Sequence, residues 1–518
     1  MKRILSDRKG RIIVMQEFVN NILFVIPKNK SRLGPGMEIP YYPHLGIAYL
    51  MAILKKHGYG VQVFDAGLFD EYEGIDKIVK KSHPILIGVT ACSYSYSYVL
   101  EVINLLKGLT NTPIVVGGPH VTATRKKILQ DAPIDFGIMG EGELTIIQLL
   151  EALLSNSSDF SMIRGLIWRK GEEIIENVAQ ILIQDLDSLP YPDFESFELY
   201  RYPCFKHKSL PFLTERGCPY PCSFCAMRKT GFRPRSPDNI VSELEYRAKR
   251  NFKHFDINDD VFNLEPERVM TICNLINERG LHINYDLYNG IRANLVTLEM
   301  LQKLKNSGCS FICYGLESGN SKTLETIQKN LATEQLEQAA KWTKQVEIPF
   351  AVNFIIGHPG ETFKTAMDSV RFARRLPATW VNFYNLIPFP GTPVFDWVIK
   401  NGRFLIPIDS LFEISNRDNK PVFETDEFTV EERIYVVKHG TRLYNLGALK
   451  FRFGKIIGLL LYKILQSKSL LKFGRYFFTR TRLGKKIYYK LRGQTHTLIK
   501  TLFWEPFRTI DHLTVSHK

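Results

Sequence analysis

The 518-residue sequence predicts an α/β protein in which two parallel β-sheets follow one another and a basic helical region closes the chain. Three observations carry that reading. Near-continuous apolar runs alternate with helical patterns over residues 20–183, the alternation resumes as six βα units within 206–400, and the excess positive charge falls after residue 440.

In the first series the predicted strands are NILFVIP (21–27), GVQVFDA (60–66), PILIGVTA (84–91), PIVVGGPH (113–120) and FGIMGEGE (136–143). HLGIAYLMAILKKHG and SYVLEVINLLKG lie between them, with apolar residues at helical spacing and a glycine just past the end. Strands apolar on both faces and separated by helices describe a doubly wound, Rossmann-like parallel sheet. GLIWRKGEEIIEN (165–177) reads as a hairpin turning at Lys170-Gly171. DLDSLPYPDFESF (185–197), with two prolines, reads as part of a linker over 184–205. Residues 1–19 read as a leader.

The second series contains LPFLTER (210–216), HFDIND (254–259), INYDLYNGIRA (283–293), SFICYGLESG (310–319), PFAVNFIIGHPG (349–360) and WVNFYNLIPFPGTP (380–393). Helical segments such as SPDNIVSELEYRAKR and TLEMLQKLKNSG separate them. Six such units fit a partial (β/α)6 barrel of the TIM type, whose chemistry sits on the loops at the carboxyl ends of the strands. The chemically suggestive stretches GCPYPC, DVF, IRAN, GLESG, GHPGE and PFPGTP all follow strands.

Composition narrows the setting. Eight cysteines are too few for a disulfide scaffold in a chain of this length, so a reducing cytoplasm is expected. The first residues lack the apolar core of a secretory signal, and no window reaches the ~18–20 apolar residues of a membrane span. Of the net charge of +15, all is accounted for by Thr441–Lys518, which carries 17 Lys/Arg against Glu505 and Asp511.

The sharpest local signal is Cys218, Cys222 and Cys225, at i, i+4 and i+7, interrupted by Pro219 and Pro221. Closely spaced thiolates on a loop bind zinc or an iron–sulfur cluster. Three ligands suit a 4Fe–4S cube with one iron left open. A closed zinc site would need a fourth ligand, with Cys204 or His207 as candidates. The prolines fix φ and remove two backbone donors, so the loop wraps instead of becoming helical. Cys309 and Cys313 share one strand face and, with Cys273, read as buried apolar residues.

The C-x3-C-x2-C spacing, Phe224 before its last cysteine and the six βα units together resemble the radical S-adenosylmethionine (radical SAM) superfamily. The resemblance implies a 4Fe–4S cluster on the three cysteines and S-adenosylmethionine chelated at the open iron. It also implies reductive cleavage to a 5′-deoxyadenosyl radical and an external electron donor such as flavodoxin or ferredoxin. Carried over position by position, it assigns Phe224, Asp259, Asp260, Arg292, Glu317, Ile356 and Gly357 to S-adenosylmethionine. For Asp259 and Asp260 the alternative is a helix cap, for Arg292 a structural salt bridge. Ile355 belongs to the same apolar strand. His358 stands where relatives carry an apolar residue, as an acid–base group or a hydrogen-bonded bystander.

Residues 20–183 resemble the cobalamin-binding domain found ahead of such barrels, through YYPHLGIAYLMAILKKHGYGVQVFDA, GGPH (117–120) and GEGE (140–143). The resemblance implies a corrinoid at the carboxyl edge of the sheet, with Ser93, Ser95, Gly117, Gly118, Gly140 and Glu141 as contacts. Capping of the next helix is the other reading of the serines. No D-x-H-x-x-G motif supplies a lower cobalt ligand. The combination implies methylation of an unreactive carbon, with oxidative cyclisation or rearrangement by the same cofactors as the alternative. A non-catalytic iron–sulfur or zinc protein is the rival of another class.

Residues 451–493 mix Lys/Arg with Leu, Ile, Phe and Tyr at helical spacing. Such a segment suits peripheral contact with the inner face of a membrane, or a helical cap with a solvated basic face. Nucleic acid is the third reading, which no RNA-binding motif supports. A small-molecule or lipid-like substrate is expected.

Overall fold

The computed structural model describes residues 2–6, 12–16, 20–28, 41–69, 72–408, 411 and 420–466. Within the stretch read as a leader, Lys2–Ser6 and Ile12–Gln16 pair as an antiparallel ribbon.

The first sheet has seven strands: β1 (Asn21–Ile26), β2 (Gly60–Asp65), β3 (Leu86–Thr90), β4 (Ile114–Gly117), β5 (Phe136–Ile138), β6 (Leu166–Lys170) and β7 (Glu173–Glu176), in the order β2-β1-β3-β4-β5-β6-β7. The first five are parallel, and the predicted hairpin adds β6 and β7 antiparallel at the edge. The order reverses at β1, so the carboxyl ends of β1 and β3 open a crevice of the kind where such sheets take ligands. Helices cover both faces: Leu45–Lys56 packs on one side, Tyr96–Leu109 on the other.

The second sheet has six parallel strands in sequence order: β8 (Ser209–Phe212), β9 (His254–Ile257), β10 (Asn284–Ile291), β11 (Cys309–Glu317), β12 (Phe350–Ile356) and β13 (Trp380–Asn385). β8 and β13 do not pair, so this is the partial barrel that the pattern predicts. Alternate residues of each strand join the core (Phe255 and Ile257; Val352, Phe354 and Ile356) while their neighbours face the lumen. Cys273 and Cys309 are core residues, but Cys309 and Cys313 do not share a face as their spacing suggests: the register shifts between Cys309 and Phe311, and Cys313 packs with Phe311 and Ala351 in a separate cluster.

One apolar core runs through both units, from Ile22 to Val437. The acidic, proline-bearing stretch read as a linker is a packed strap. The Asp193 amide bonds to the Ala48 carbonyl at 2.9 Å, its carboxylate meets Lys55 at 2.7 Å, and the Tyr202 hydroxyl reaches Asp65 at 2.8 Å. Phe194, Phe197 and Tyr202 are buried there. Their apolar surface outweighs the turn chemistry of the prolines around them.

A 24-residue helix, Val430–Phe453, lies against β13 and opens with a capping box at Thr429 and Glu432. Gly440 and Gly447 let it approach closely, because a Cβ at either would run into Phe383 or into the Thr379–Trp380 backbone. A second helix, Lys455–Gln466, ends the described part of the basic tail. Residues 467–518, most of the segment read as amphipathic, lie outside the described residues.

Candidate active site

The loop that leaves β8 carries the three cysteines. Gly217 starts it at φ +89°, and a Cβ there would strike the Gly231 carbonyl, so only glycine permits the chain to turn back on itself. The returning strand closes the loop: the Thr230 amide bonds to the Cys218 carbonyl at 3.1 Å, the Cys218 amide to Thr230 Oγ1 at 3.0 Å, and the Lys229 amide to the Tyr220 carbonyl at 3.1 Å. Cys222 is buried, Cys218 and Cys225 half-buried. Burial first, then the neighbouring Cys225 and Cys222 sulfurs, pushes the Cys218 thiol up to about 11, so the three sulfurs share one neighbourhood.

Among the described residues, no three His, Cys, Asp or Glu side chains converge on the position of one ion. In a 4Fe–4S cube each thiolate holds a different iron, and the sulfurs stand further apart than around one zinc. The zinc reading fails on topology. Cys204, fully buried, and His207 precede β8, at the opposite end of the barrel from the cysteine loop. The donor set fits a cube held at three irons.

The other strand ends are tied to this loop and to one another. The Gly217 amide bonds to Asp260 at 2.9 Å and the Val261 amide to Glu215 at 2.8 Å. Ser223 bonds by its amide to the Ile327 carbonyl at 3.0 Å and by its carbonyl to the Val394 amide at 3.3 Å. Phe224 lies 5.6 Å from the His358 ring, and Lys329 stands 5.9 Å above Phe224 while pairing with Glu317 at 2.8 Å. Glu317 itself adopts φ +78°, an uncommon conformation for a non-glycine residue, with its carboxylate turned to Lys329.

Several expected contacts have other partners. Asp259 is buried, with both oxygens engaged by the amide and hydroxyl of Thr214. This is neither a helix cap nor a carboxylate free for a cofactor. Arg292 stacks on Tyr220 at 3.5 Å and donates from Nη2 to the carbonyls of Lys329 and Asn330 at 2.8 and 2.7 Å, so that arm of its fork is committed to the protein. Ile356 is a core residue, whereas Ile355 packs, as Phe224 does, against the separate cluster around Leu386 and Val394, because strand alternation puts neighbours on opposite faces.

At the edge of the first sheet, Gly117 pairs in register with Thr90. Gly118, at φ +110°, passes so close to the Ala91 carbonyl that a Cβ would sit 2.6 Å from it. The Ser93 hydroxyl is 3.2 Å from the His120 ring, whereas Ser95 is buried with its hydroxyl on Cys92. Gly140 turns at φ +73° with open space where a Cβ would lie. Glu141, expected to face the same ligand, instead crosses to the barrel. It meets Arg216 at 3.1 Å and Arg233 at 2.8 Å and accepts from the Ile183 amide at 3.0 Å, and Glu143 takes the other arm of Arg216 at 2.7 Å. The two arginines outweigh the cost of burying the Glu141 carboxylate and hold it below the usual range.

Arg216, Arg233, Glu143, Lys329, Glu361 and Arg433 are missing from the residues singled out by sequence. Arg216 had a signal, since it directly precedes Gly217-Cys218. Glu361 ends GHPGE and accepts from the amides of Gly357 and His358 at 2.6 and 3.2 Å; burial pushes its carboxyl up to about 7. Arg433 comes from the closing helix, buried between Phe423 and Phe428, and occupies the space that a Cβ on Gly357 would fill.

The fold and the site define a doubly wound domain followed by a partial barrel with a three-cysteine loop. The chain matches the Radical SAM superfamily model over residues 213–373 and the B12 binding domain model over residues 40–150. An uncharacterised methyltransferase of Pyrococcus horikoshii is 30% identical over 75% of this chain and 85% of that protein. An anaerobic magnesium-protoporphyrin IX monomethyl ester cyclase of Cereibacter sphaeroides is 26% identical over 72% of this chain and 63% of that protein. Among solved structures, the cobalamin-dependent S-adenosylmethionine radical enzyme OxsB, with aqua-cobalamin and S-adenosylmethionine bound, superposes with a TM-score of 0.68 at 17% identity, over 96% of this chain and 82% of that one. The chain belongs to the radical SAM superfamily, in the branch with a B12 binding domain ahead of the barrel. The family brings a 4Fe–4S cluster, S-adenosylmethionine and cobalamin as cofactors.

Proposed function

We propose that this protein methylates an unreactive carbon of a small-molecule substrate. When bound, the three cofactors supply an electron, a hydrogen-abstracting nucleoside radical and a transferable methyl group. The single observation that carries the reading is the pairing of Glu141 and Glu143 with Arg216, two residues before Cys218. It ties the loop expected to bind the corrinoid to the loop expected to bind the cluster, as a reaction shared between the two cofactors requires. The methyltransferase relative supports methyl transfer as the outcome.

In this reading Cys218, Cys222 and Cys225 ligate the cluster, Phe224 and Ile355 shield it, and the Glu317–Lys329 pair offers charge to the cofactor beside them. Arg292 and Asp259 hold the loops in place. Ser93, Gly117, Gly118 and Gly140 line the corrinoid edge, where the glycines leave room for a large ring. Asp260 supports the cysteine loop through Gly217. An external one-electron donor of the flavodoxin or ferredoxin type reduces the cluster.

The helix Lys455–Gln466 supports peripheral membrane contact. Ile456 is 78% and Leu460 56% exposed, among Lys455 and Lys463. Among the described residues no helix is long and apolar enough to cross a membrane. Such a surface suits anionic lipid, each Lys/Arg contributing about 1 kcal/mol, and a lipid-like substrate.

The test is incubation of reconstituted, corrinoid-loaded protein with methyl-labelled S-adenosylmethionine, a reductant and candidate substrates. Methylation predicts label in a carbon-bound methyl group, together with 5′-deoxyadenosine and dependence on corrinoid. The cyclase relative makes ring closure the second reading. It predicts 5′-deoxyadenosine with no label in the product.

A further inference from the structure

In a closed barrel the lumen is filled with side chains. Here the lumen-facing residues of β13, Trp380, Asn382 and Tyr384, stay partly accessible and alternate with the buried Val381, Phe383 and Asn385. Asn353 and Ile355 on β12 and His254 and Asp256 on β9 do the same, and Tyr288 on β10 is 50% exposed. The lumen of this partial barrel is open.

Its base is aromatic on one side. Cys313, Ala351 and Trp380 stand in one register row across β11, β12 and β13, and with Phe311 they form an apolar cluster separate from the main core. Phe311 is clamped between Tyr288 at 4.6 Å and Trp380, stacked at 4.9 Å and 19°. The rings then leave the lumen at the free edge of β13. Trp380 meets Phe451 and Tyr444 of the helix Val430–Phe453 at 5.6 and 6.5 Å. Tyr444 is 38% and Phe451 56% exposed. Beyond Phe451 the surface continues to the exposed Ile456 and Leu460. On β9 the lumen carries His254 and Asp256 instead, so the apolar surface begins at β10.

Contiguous accessible apolar rings mark a binding groove, and only a small molecule reaches inside a barrel. The shape of the groove specifies its class. A compact planar ligand needs one pair of rings. A row that crosses from β10 to β13, turns onto a helix and ends beside Ile456 and Leu460 suits an extended apolar chain, each CH2 of which gains about fourfold in affinity on leaving water.

We infer that the substrate carries an acyl- or isoprenoid-like tail, which lies over Tyr288 and Trp380 at the base of the lumen and leaves across Phe451. This rests on the reading that the lumen holds the substrate, and it adds an orientation. Phe311 and Trp380 stand at the amino ends of their strands, so the tail occupies that end and the reacting head points to the carboxyl ends, where the cysteine loop lies.

The experiment uses the full chain loaded with cluster and corrinoid, and a tritiated hexadecanol carrying a diazirine as the probe. Equilibrium dialysis gives affinity and stoichiometry, and photolysis with peptide mass spectrometry gives the place. One chain per protein is expected, crosslinked to the strands that carry Tyr288, Phe311 and Trp380, with hexanol at least about a hundredfold weaker. Tyr288→Ser and Phe451→Ser, at rings exposed enough to spare folding, should each weaken hexadecanol about threefold to tenfold. Crosslinks confined to Ile456–Leu460, unchanged affinity in both variants, or 1-naphthol binding more tightly than hexadecanol would each overturn the inference. Binding is read without turnover, so the two readings fail separately. Intact tail binding with no methyl transfer removes the methylation reading alone, whereas a methylated product without an apolar tail removes this inference alone.

Discussion

Replacing Arg216 by methionine should loosen the joint between the two units while leaving both folded. Its guanidinium lies 2.7 Å from Glu143, 3.1 Å from Glu141 and 5.1 Å from the Tyr49 ring. Glu141 keeps Arg233 in the variant, but among the described residues no other basic partner stands within ion-pair distance of Glu143, whose side chain is 6% exposed. Breaking a buried ion pair from one side costs about 3–5 kcal/mol, because the remaining charge is left uncompensated. The double variant Arg216→Met/Glu143→Gln removes both charges and should recover most of the loss, so the two changes are strongly non-additive. Urea denaturation followed by tryptophan fluorescence measures this. A second readout separates positioning from stability: at a temperature where all variants are folded, Arg216→Met should still cleave S-adenosylmethionine but transfer less methyl group per cleavage. A loss below about 1 kcal/mol, or strictly additive changes, would refute the argument that this contact couples the units.

Glu361→Gln tests the buried carboxyl. Its folded value is raised to about 7 from a usual 4.5, so the stability it contributes is present below 4.5 and is lost as pH rises through 7. The glutamine variant lacks that loss, and its urea midpoint relative to wild type should climb between pH 4.5 and 7 and then level off. His358 runs the other way. Its folded value is lowered to about 3 from 6.5, so wild type loses stability as pH falls from 6.5 toward 3, and His358→Leu should gain on it over that range. Gly440→Val should drive a side chain into Phe383 and cost about 1–3 kcal/mol by overpacking, seen as a lower melting temperature. Removing residues 467–518 and replacing Ile456 and Leu460 by aspartate should abolish flotation with anionic vesicles; unchanged flotation would remove the membrane reading.

Most of the architecture was legible because both sheets rest on local signals. Apolar runs such as NILFVIP are buried on both faces, and helix ends carry their stops in the sequence. The cysteine triplet was equally plain, because three ligands at fixed spacing with prolines between them have few other uses. The side-chain partners were harder. Nothing near Glu141 in the sequence announces Arg216 and Arg233, 75 and 92 residues away. Asp259 and Arg292 lie where cofactor contacts are expected, yet each meets a nearer protein group. Arg433 reaches the barrel mouth from a helix some 70 residues beyond Gly357, through a space that exists only because Gly357 has no side chain. The strap at 184–205 shows the same limit: turn residues read as a loose connection, and burial of Phe194 and Tyr202 made it a joint.

The central claim is that Cys218, Cys222 and Cys225 hold a cluster with one iron open to S-adenosylmethionine. Anaerobic reconstitution followed by iron analysis and electron paramagnetic resonance tests it directly. About four irons per chain are expected, with a spectrum of the reduced protein that changes when S-adenosylmethionine is added and loss of the cluster in Cys218→Ala. A full cluster in that variant, or a spectrum indifferent to S-adenosylmethionine, would contradict it.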